Sequence, residues 1–573
     1  MLANAAVPLL LSTALTWLDP AALTPPQRGV CVTEWTDGQR LEIPVEVLGV
    51  LDATAPDRTA VLIRLDDPRF AGGGVAAGMS GSPVYVNGTL LGALAFGWAF
   101  AKEPLAGVTP FATMHRLAGG PATPLGAAPT LAQLSSLVAG KLEPAALLPV
   151  RPGSPVVPIP VAVGGFAPPS GFGRQVLESM GLQPVPTGGV SALAGIPAAG
   201  DMIAAILVWG DANIAAGGTA TAVEGDKVWA FGHQFLALGG VRLPAARARV
   251  IAVQNSYQNS FKIFTVGQPF GTFVADRTAG MLAVAGSPPA GIPVDVTVHE
   301  PLGDSGWHFR IAEVPLLEPL LVTYLTNACL TARGAASGEA TVRVRLSLSF
   351  ADGRQVAVEQ TVRSLDALAR AAAFTGATVG LLEASPFAKP ALTAVTVDLC
   401  RLEQAESATV TEVLPDRTTL RPGETLDIRV RLAPYREAER TVPLRITVPP
   451  DTRPGRLDLI VADGAAWTEY RLKAAGEEPV DFTGQLAQLA GFEPNATLVA
   501  ALESKEPGVA VPGGSQPRLP PSWAATLAIG LGDGAVTRLS RAFVATTRWT
   551  APYPLEGAFR IALTIRPPLA ETP

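Results

Sequence analysis

Cysteine, histidine and charge are all scarce in this chain. Its 573 residues hold three cysteines (Cys31, Cys329, Cys400) and four histidines. They form no CxxC pair, which argues against a structural zinc site or a disulfide framework. A single Cys329–Cys400 bridge and buried free thiols both remain open. Charged residues make up 16% of the chain and the net charge is −6. No Lys/Arg cluster is interleaved with aromatics, so nothing points to a nucleic-acid partner. Long apolar runs are missing too. Met202 to Trp209 falls far short of the roughly 18 apolar residues of a membrane helix, so no transmembrane helix is expected in the mature chain.

Glycine and proline, by contrast, are plentiful, at 58 and 53, beside 48% hydrophobic residues. That balance suits many short strands joined by tight turns, in a mainly β chain of about three to five domains. Met1 to Leu18 carry no charged side chain, and Leu9 to Leu15 is long enough for a signal h-region. Residues 1–25 therefore read as a signal segment lacking its basic n-region, unless the true start lies upstream. The expected location is exported, in the periplasm or cell envelope.

From Arg28 to about Met114 strands alternate with turns, and Asn87-Gly88 between apolar runs marks a hairpin. This region, 26–117, is followed by an Ala/Pro/Gly-rich linker over 118–160 with one helical stretch near Leu131 to Leu137. A second β region, 161–300, contains a helix bounded by Ser170 and Gly181 and a strand ending at Trp229 to Phe231. Residues 301–404 read as a β-rich accessory domain with a helix from Leu365 to about Thr375. Residues 405–475 alternate like an immunoglobulin-type β-sandwich, and 476–573 form a C-terminal β region broken at Pro517 to Pro521.

The chemistry concentrates in Gly78-Met79-Ser80-Gly81-Ser82-Pro83. A serine hydroxyl is a weak nucleophile and needs an exposing turn, backbone amides for an oxyanion, and a base. Here Ser80 is the candidate nucleophile, and the amides of Gly78 and Ser80 are the candidate oxyanion hole. A strand, a hairpin, a second strand and Phe96-Gly97-Trp98 follow. This order resembles trypsin-like proteases, in which such a segment walls the specificity pocket. Gly97, Trp98, Ala99 and Phe100 are accordingly expected to bind substrate as an added strand.

The run also resembles the SpoIVB-type serine peptidase family. The likeness extends to Gly88-Thr-Leu-Leu-Gly-Ala93, to Ala101 through Pro110, and to Phe231-Gly232-His233, covering roughly residues 28–116 and 200–286. It implies His233 as the base. In the family the histidine precedes the serine, whereas here it follows by 153 residues, as though two halves were permuted. His115, His299 and His308 match no family motif. The orienting acid stays open between Asp66, near the family's spacing before the serine, and Asp276, in the half that carries His233.

The fold expected is a chymotrypsin-like double β-barrel in permuted order, with the Ser80 half first, followed by β-sandwich or immunoglobulin-like modules. The function expected is a serine endopeptidase acting on protein or peptide substrates, with no cofactor and no metal. The alternative is a non-catalytic envelope binding or scaffold protein that keeps a peptidase-like fold.

Overall fold

The computed structural model describes residues 15–51, 59–71, 74–98, 102–122, 129–149, 159–257, 259–301, 303–333, 339–402, 407–475, 479, 481–505 and 541–567, with short pieces at 508–511, 514–516, 522–523, 526 and 537–539. The apolar stretch ahead of Leu15, Ala99 and Phe100, and the break at Pro517 to Pro521 lie outside them. The protein is mainly β.

A period of two builds the first unit. Ile43, Val45 and Val47, then Val61, Ile63 and Leu65, point inward at alternate positions and are buried. Six antiparallel strands result: β1 (Gln27–Glu34), β2 (Arg40–Leu51), β3 (Ala60–Leu65), β4 (Pro83–Val86), β5 (Thr89–Gly97) and β6 (Leu105–Pro110). They close a barrel in the order β1-β2-β3-β6-β5-β4, with Gly29 opposite Val86 completing the circle. The β4–β5 hairpin turns at Asn87 and Gly88, both with positive φ, as a type I′ turn requires. Ahead of the barrel, Leu18 donates its amide to Leu90 at 2.8 Å, and Trp17 lies against the Phe111 and His115 rings.

The helices α1 (Phe111–His115), α2 (Leu131–Val138) and α3 (Gly171–Ser179) and the strands β7 (Ile159–Gly164) and β8 (Leu182–Pro186) lead to the second unit. Its strands are β9 (Met202–Gly210), β10 (Asn213–Glu224), β11 (Lys227–Ala230), β12 (Gly239–Gln254), β13 (Phe261–Arg277) and β14 (Gly280–Ala285). The pairing runs β9-β12-β13-β14-β11-β10, and β10 returns to β9, so these six strands also form a closed circuit.

That circuit is part of a larger sheet. On one side β7 and β8 extend it from β10. On the other, β15 (Ile292–His299), β16 (Ser305–Ile311), β17 (Ala340–Phe350), β18 (Gln355–Ser364) and β19 (Leu392–Leu402) extend it from β9. Residues 301–404 are therefore not a separate β domain, because β16 pairs directly with β9. Two helices, α4 (Glu318–Thr331) and α5 (Ala367–Glu383), share the core with this sheet.

The stretch 118–160 is more than a surface linker. A capping box between Thr130 and Gln133 starts α2, whose Leu134 and Leu137 are fully buried in the same core. Arg370 of α5 donates to the carbonyls of Leu137 and Leu142.

The C-terminal region is a two-sheet sandwich. One sheet orders 440–447, 425–434, 408–415 and 555–556; the other orders 419–420, 558–565, 455–463, 497–504 and 542–550. Side chains of both sheets share one core. The unit thus spans the division placed at 475, since Gly455–Asp463 pairs with Thr497–Ser504 across two intervening helices. The three cysteines are free thiols, so no Cys329–Cys400 bridge forms.

Contacts between the two six-stranded units include those of Glu34, of the turn after β1 and of the loop leading to Ser80. Glu34, at the end of β1, accepts the amides of Met202 (2.9 Å) and Val250 (2.7 Å). The turn at Thr36–Gly38 lies against Arg249 of β12. The loop leading to Ser80 joins β13, where Ala77 donates to Ser260 (2.7 Å) and Lys262 donates to Ala77 (3.0 Å).

Candidate active site

Two glycines shape the Ser80 turn: Gly78 has φ 96° and Gly81 has φ 98°, a region that side chains disfavour. Met79, between Gly78 and Ser80, points into the first barrel's core and is fully buried. The carbonyls of Gly78, Ser80 and Gly81 are engaged by β10. Thr219 donates its hydroxyl to Gly78 (2.9 Å) and its amide to Ser80 (2.8 Å), and the Thr221 hydroxyl donates to Gly81 (2.7 Å). The amides of Met79, Gly81 and Ser82 donate to Ala76, Leu94 and Met79. Among the described residues, no acceptor engages the amides of Gly78 and Ser80. These are the two groups expected to hold an oxyanion.

Ser82 is a different kind of residue. It is fully buried, and its hydroxyl donates to the Met79 carbonyl at 2.6 Å and lies 2.9 Å from the Thr33 hydroxyl.

His233 sits in a tight turn after β11, with Phe231 and Gly232 both at positive φ (68° and 66°). The turn lies directly on the Ser80 turn. Phe231 donates its amide to the Thr219 carbonyl (3.3 Å), and Thr109 donates its hydroxyl to Gly232 (2.6 Å). A Cβ at Gly81 would come within 2.6 Å of the Phe231 nitrogen, and one at Gly232 within 3.0 Å of the Leu94 oxygen. Leu94 is the residue whose carbonyl receives the Gly81 amide.

The imidazole carries its own tautomer signal. Nδ1 is 2.6 Å from the Gln234 carbonyl oxygen. A carbonyl only accepts, so Nδ1 holds the proton and Nε2 presents a bare lone pair. Nε2 is buried and, among the described residues, has no hydrogen-bond partner; no bond to Ser80 Oγ is formed in this state. Burial holds the imidazole below its ordinary value, with the Gln234 carbonyl pulling the other way. Ser80 and His233 are each 6% exposed.

Among the described residues neither candidate acid is hydrogen-bonded to the ring, whose Nδ1 is on the Gln234 carbonyl. Asp66 is exposed at the end of β3, its amide bonded to Pro44. Asp276 is fully buried and accepts the amides of Phe235 (2.6 Å), Leu236 (2.7 Å) and Leu238 (3.0 Å). It fixes the loop that begins with Gln234, so it orients the imidazole through the backbone. Of the expected substrate segment, Gly97 is buried at the end of β5 and Trp98 is 45% exposed beside Phe96. A cavity of about 710 Å³ lined by Tyr85, Leu90, Ile196, Thr221 and Val223 contains neither Ser80 nor His233.

Lys262 escaped the sequence reading. It is fully buried, donates to Thr33 Oγ1 at 2.8 Å, and runs its aliphatic stem beneath Gly78. Desolvation lowers its ammonium to about 7, opposed by Glu34 and Cys31; burial pushes the Cys31 thiol up to about 12. A single lysine in the alternating strand Phe261-Lys-Ile-Phe carries no motif, so no sequence signal could have found it.

No family model, curated protein or solved structure matches this chain. Its function therefore rests on the geometry of the site. Among the described residues no group of His, Cys, Asp and Glu is arranged to hold a metal ion, and no helix is long and apolar enough to cross a membrane.

Proposed function

We propose that this chain is a serine endopeptidase of the SpoIVB type, with a chymotrypsin-like pair of barrels in permuted order. The observation that carries the reading is the Nε2 of His233, buried and without a partner among the described residues, in a turn seated on the Ser80 turn through Thr219. Among the described residues the amides of Gly78 and Ser80, on either side of Met79, have no acceptor, which leaves them free to hold an oxyanion.

In this mechanism Ser80 Oγ attacks a peptide carbonyl while His233 Nε2 takes its proton, and the amides of Gly78 and Ser80 hold the developing oxyanion. The imidazolium returns the proton to the leaving amine, and water then releases the acyl group by the same steps reversed in role. The Gln234 carbonyl takes the place an aspartate holds in a triad, and Asp276 keeps that carbonyl aimed. Substrate would run along Gly97 and Trp98. The sandwich is auxiliary, and the apolar start of the chain fits export to the cell envelope.

A second reading draws on the burial of both groups: a barrel pair sealed around Ser80 would serve as a binding scaffold without turnover. Labelling with a fluorophosphonate separates the two. An activated Ser80 reacts covalently and Ser80→Ala does not; a native protein that stays unlabelled at millimolar probe is a scaffold.

A further inference from the structure

Lys262 is a buried cation that the mechanism above leaves unused, yet it is wired to the peptide that carries the Ser80 amide. Its Nζ donates to Thr33 Oγ1 at 2.8 Å, Thr33 Oγ1 lies 2.9 Å from Ser82 Oγ, and Ser82 Oγ donates to the Met79 carbonyl at 2.6 Å. Valence fixes the direction. The Ser82 hydroxyl has one proton, and the carbonyl can only accept, so that proton goes to Met79 and the Thr33 hydroxyl donates to Ser82. The chain therefore runs from ammonium to hydroxyl to hydroxyl to carbonyl, every donor pointing the same way.

We propose that Lys262 is a positioning residue for the oxyanion site, its charge acting through Thr33 and Ser82 to polarise the Met79–Ser80 peptide; this rests on the peptidase reading. A carbonyl that accepts a charge-assisted chain withdraws density from its own N–H, and aligned hydrogen bonds strengthen one another in a dry interior. The N–H so strengthened belongs to Ser80. The same lysine braces the other donor, since its amide holds the Ala77 carbonyl and its stem lies against Gly78.

The groups facing the ammonium are few. From β1 come Glu34 and Cys31, and across the β12–β13 pair lies apolar Val253. Asp201, next to Met202, is taken up by Arg40 and Arg247. Glu34 is held by two backbone amides. With its ammonium lowered to about 7, the relay switches off as pH rises through neutrality, just where His233 has become a competent base.

Met79–Ser80 is the one Met-Ser dipeptide in the sequence, so ¹³C-carbonyl methionine with ¹⁵N-serine gives a single cross-peak for this peptide in the full chain. Native protein should show that peak moving with a midpoint near 7. The movement should vanish in Lys262→Met, Thr33→Val and Ser82→Ala. A peak that is still across this range, or that still moves in Lys262→Met, overturns the relay whether or not the protein cleaves anything. With a peptide substrate, each variant should lower kcat about tenfold, a fraction of what losing an oxyanion donor costs, with KM unchanged. Their double combinations should be no worse than the singles, and the falling alkaline limb of the native pH profile should disappear. Additive losses or an unchanged limb also overturn it. Failure of the native protein to label with a fluorophosphonate removes the peptidase reading, and the cross-peak still decides the relay.

Discussion

Thr219 and Ser80 are joined main chain to main chain, the Thr219 amide donating to the Ser80 carbonyl at 2.8 Å, while the Thr219 carbonyl receives Phe231 two residues before His233. One residue of β10 is thus bonded to both the Ser80 turn and the His233 turn. Small neighbours make the approach feasible: a Cβ at Gly218 would come within 2.7 Å of the Phe231 ring.

That intimacy makes Gly81 irreplaceable. A Cβ there would collide with the Thr219 carbonyl oxygen and the Phe231 nitrogen, at a φ of 98°. Gly81→Ala should lower stability by about 3 kcal/mol or more, combining backbone strain with an overlap that only a shift of β10 relieves. Denaturant titration measures this. A loss below about 0.5 kcal/mol, the ordinary surface value, would mean that the two turns are not held as close as described.

Ser80 and Ser82 are two residues apart and are separated by what their hydroxyls do. The Ser82 hydroxyl is committed to the Met79 carbonyl in the interior. Ser80→Ala should abolish fluorophosphonate labelling and reduce turnover at least about a thousandfold, the scale for loss of a triad nucleophile. Ser82→Ala should retain labelling and cost about tenfold, as loss of a relay member and not of the nucleophile. A dead Ser82→Ala beside an active Ser80→Ala reverses the assignment.

Much of this was readable in advance because it is local. The alternating strands and turns between Arg28 and Met114 were legible, and Asn87-Gly88 marked the hairpin. The Gly-Met-Ser-Gly-Ser-Pro run marked the turn that β10 engages. What escaped depends on distant partners. The helix α4 is buried around its whole girth from Leu320 to Leu330, so it has no polar face to give it a helical period. The pairing of Gly455–Asp463 with Thr497–Ser504 spans two helices. Asp276 looked like a ring partner because it shares a chain half with His233, but a carboxylate surrounded by three backbone amides of a tight loop binds those first.

Asp276 and Asp66 should therefore separate cleanly. Asp276→Asn replaces one acceptor oxygen with an NH₂ that faces backbone donors, and should cost about 2–4 kcal/mol of stability for a buried group left mismatched. Turnover should fall with it, because the Gln234 carbonyl loses its support. Asp66→Asn, at an exposed position, should stay within about 0.5 kcal/mol and leave kcat unchanged. Thermal melts and kcat on the same preparations test both. A large kcat loss in Asp66→Asn would restore it as the orienting acid.

His233 sets the acid side of the pH response. Its folded-state value lies below the ordinary 6.5, so the unfolded chain binds the proton more readily than the folded one. Its stabilising contribution is complete above about 6.5 and is lost as pH falls through the lower folded value. Labelling rate should follow the same limb, since only the neutral ring accepts the Ser80 proton. The rate of fluorophosphonate labelling between about pH 4.5 and 7 reads this directly. A limb centred above about 6.5 would mean that the base is charged more easily than burial allows, and another group would have to be sought.

Lys262 predicts a stability slope on the opposite side of neutrality. Its value falls from 10.5 in the open chain to about 7 when folded, so between those limits the unfolded state holds a proton that the folded state has shed. Stability from this group therefore rises with pH from about 7 and levels off above about 10.5. The difference between the two values is worth a few kcal/mol, at about 1.4 kcal/mol for each pH unit that separates them. Lys262→Met keeps the length of the side chain and removes the buried charge. It should make the protein more stable than native at about pH 7, flatten the slope between about pH 7 and 9.5, and at the same time slow turnover. Guanidinium midpoints for both proteins at about pH 6.5, 8 and 9.5 measure it. Parallel slopes would place the ammonium in contact with water, and a variant less stable than native at about pH 7 would show that the hydrogen bond to Thr33 outweighs the cost of burying the charge.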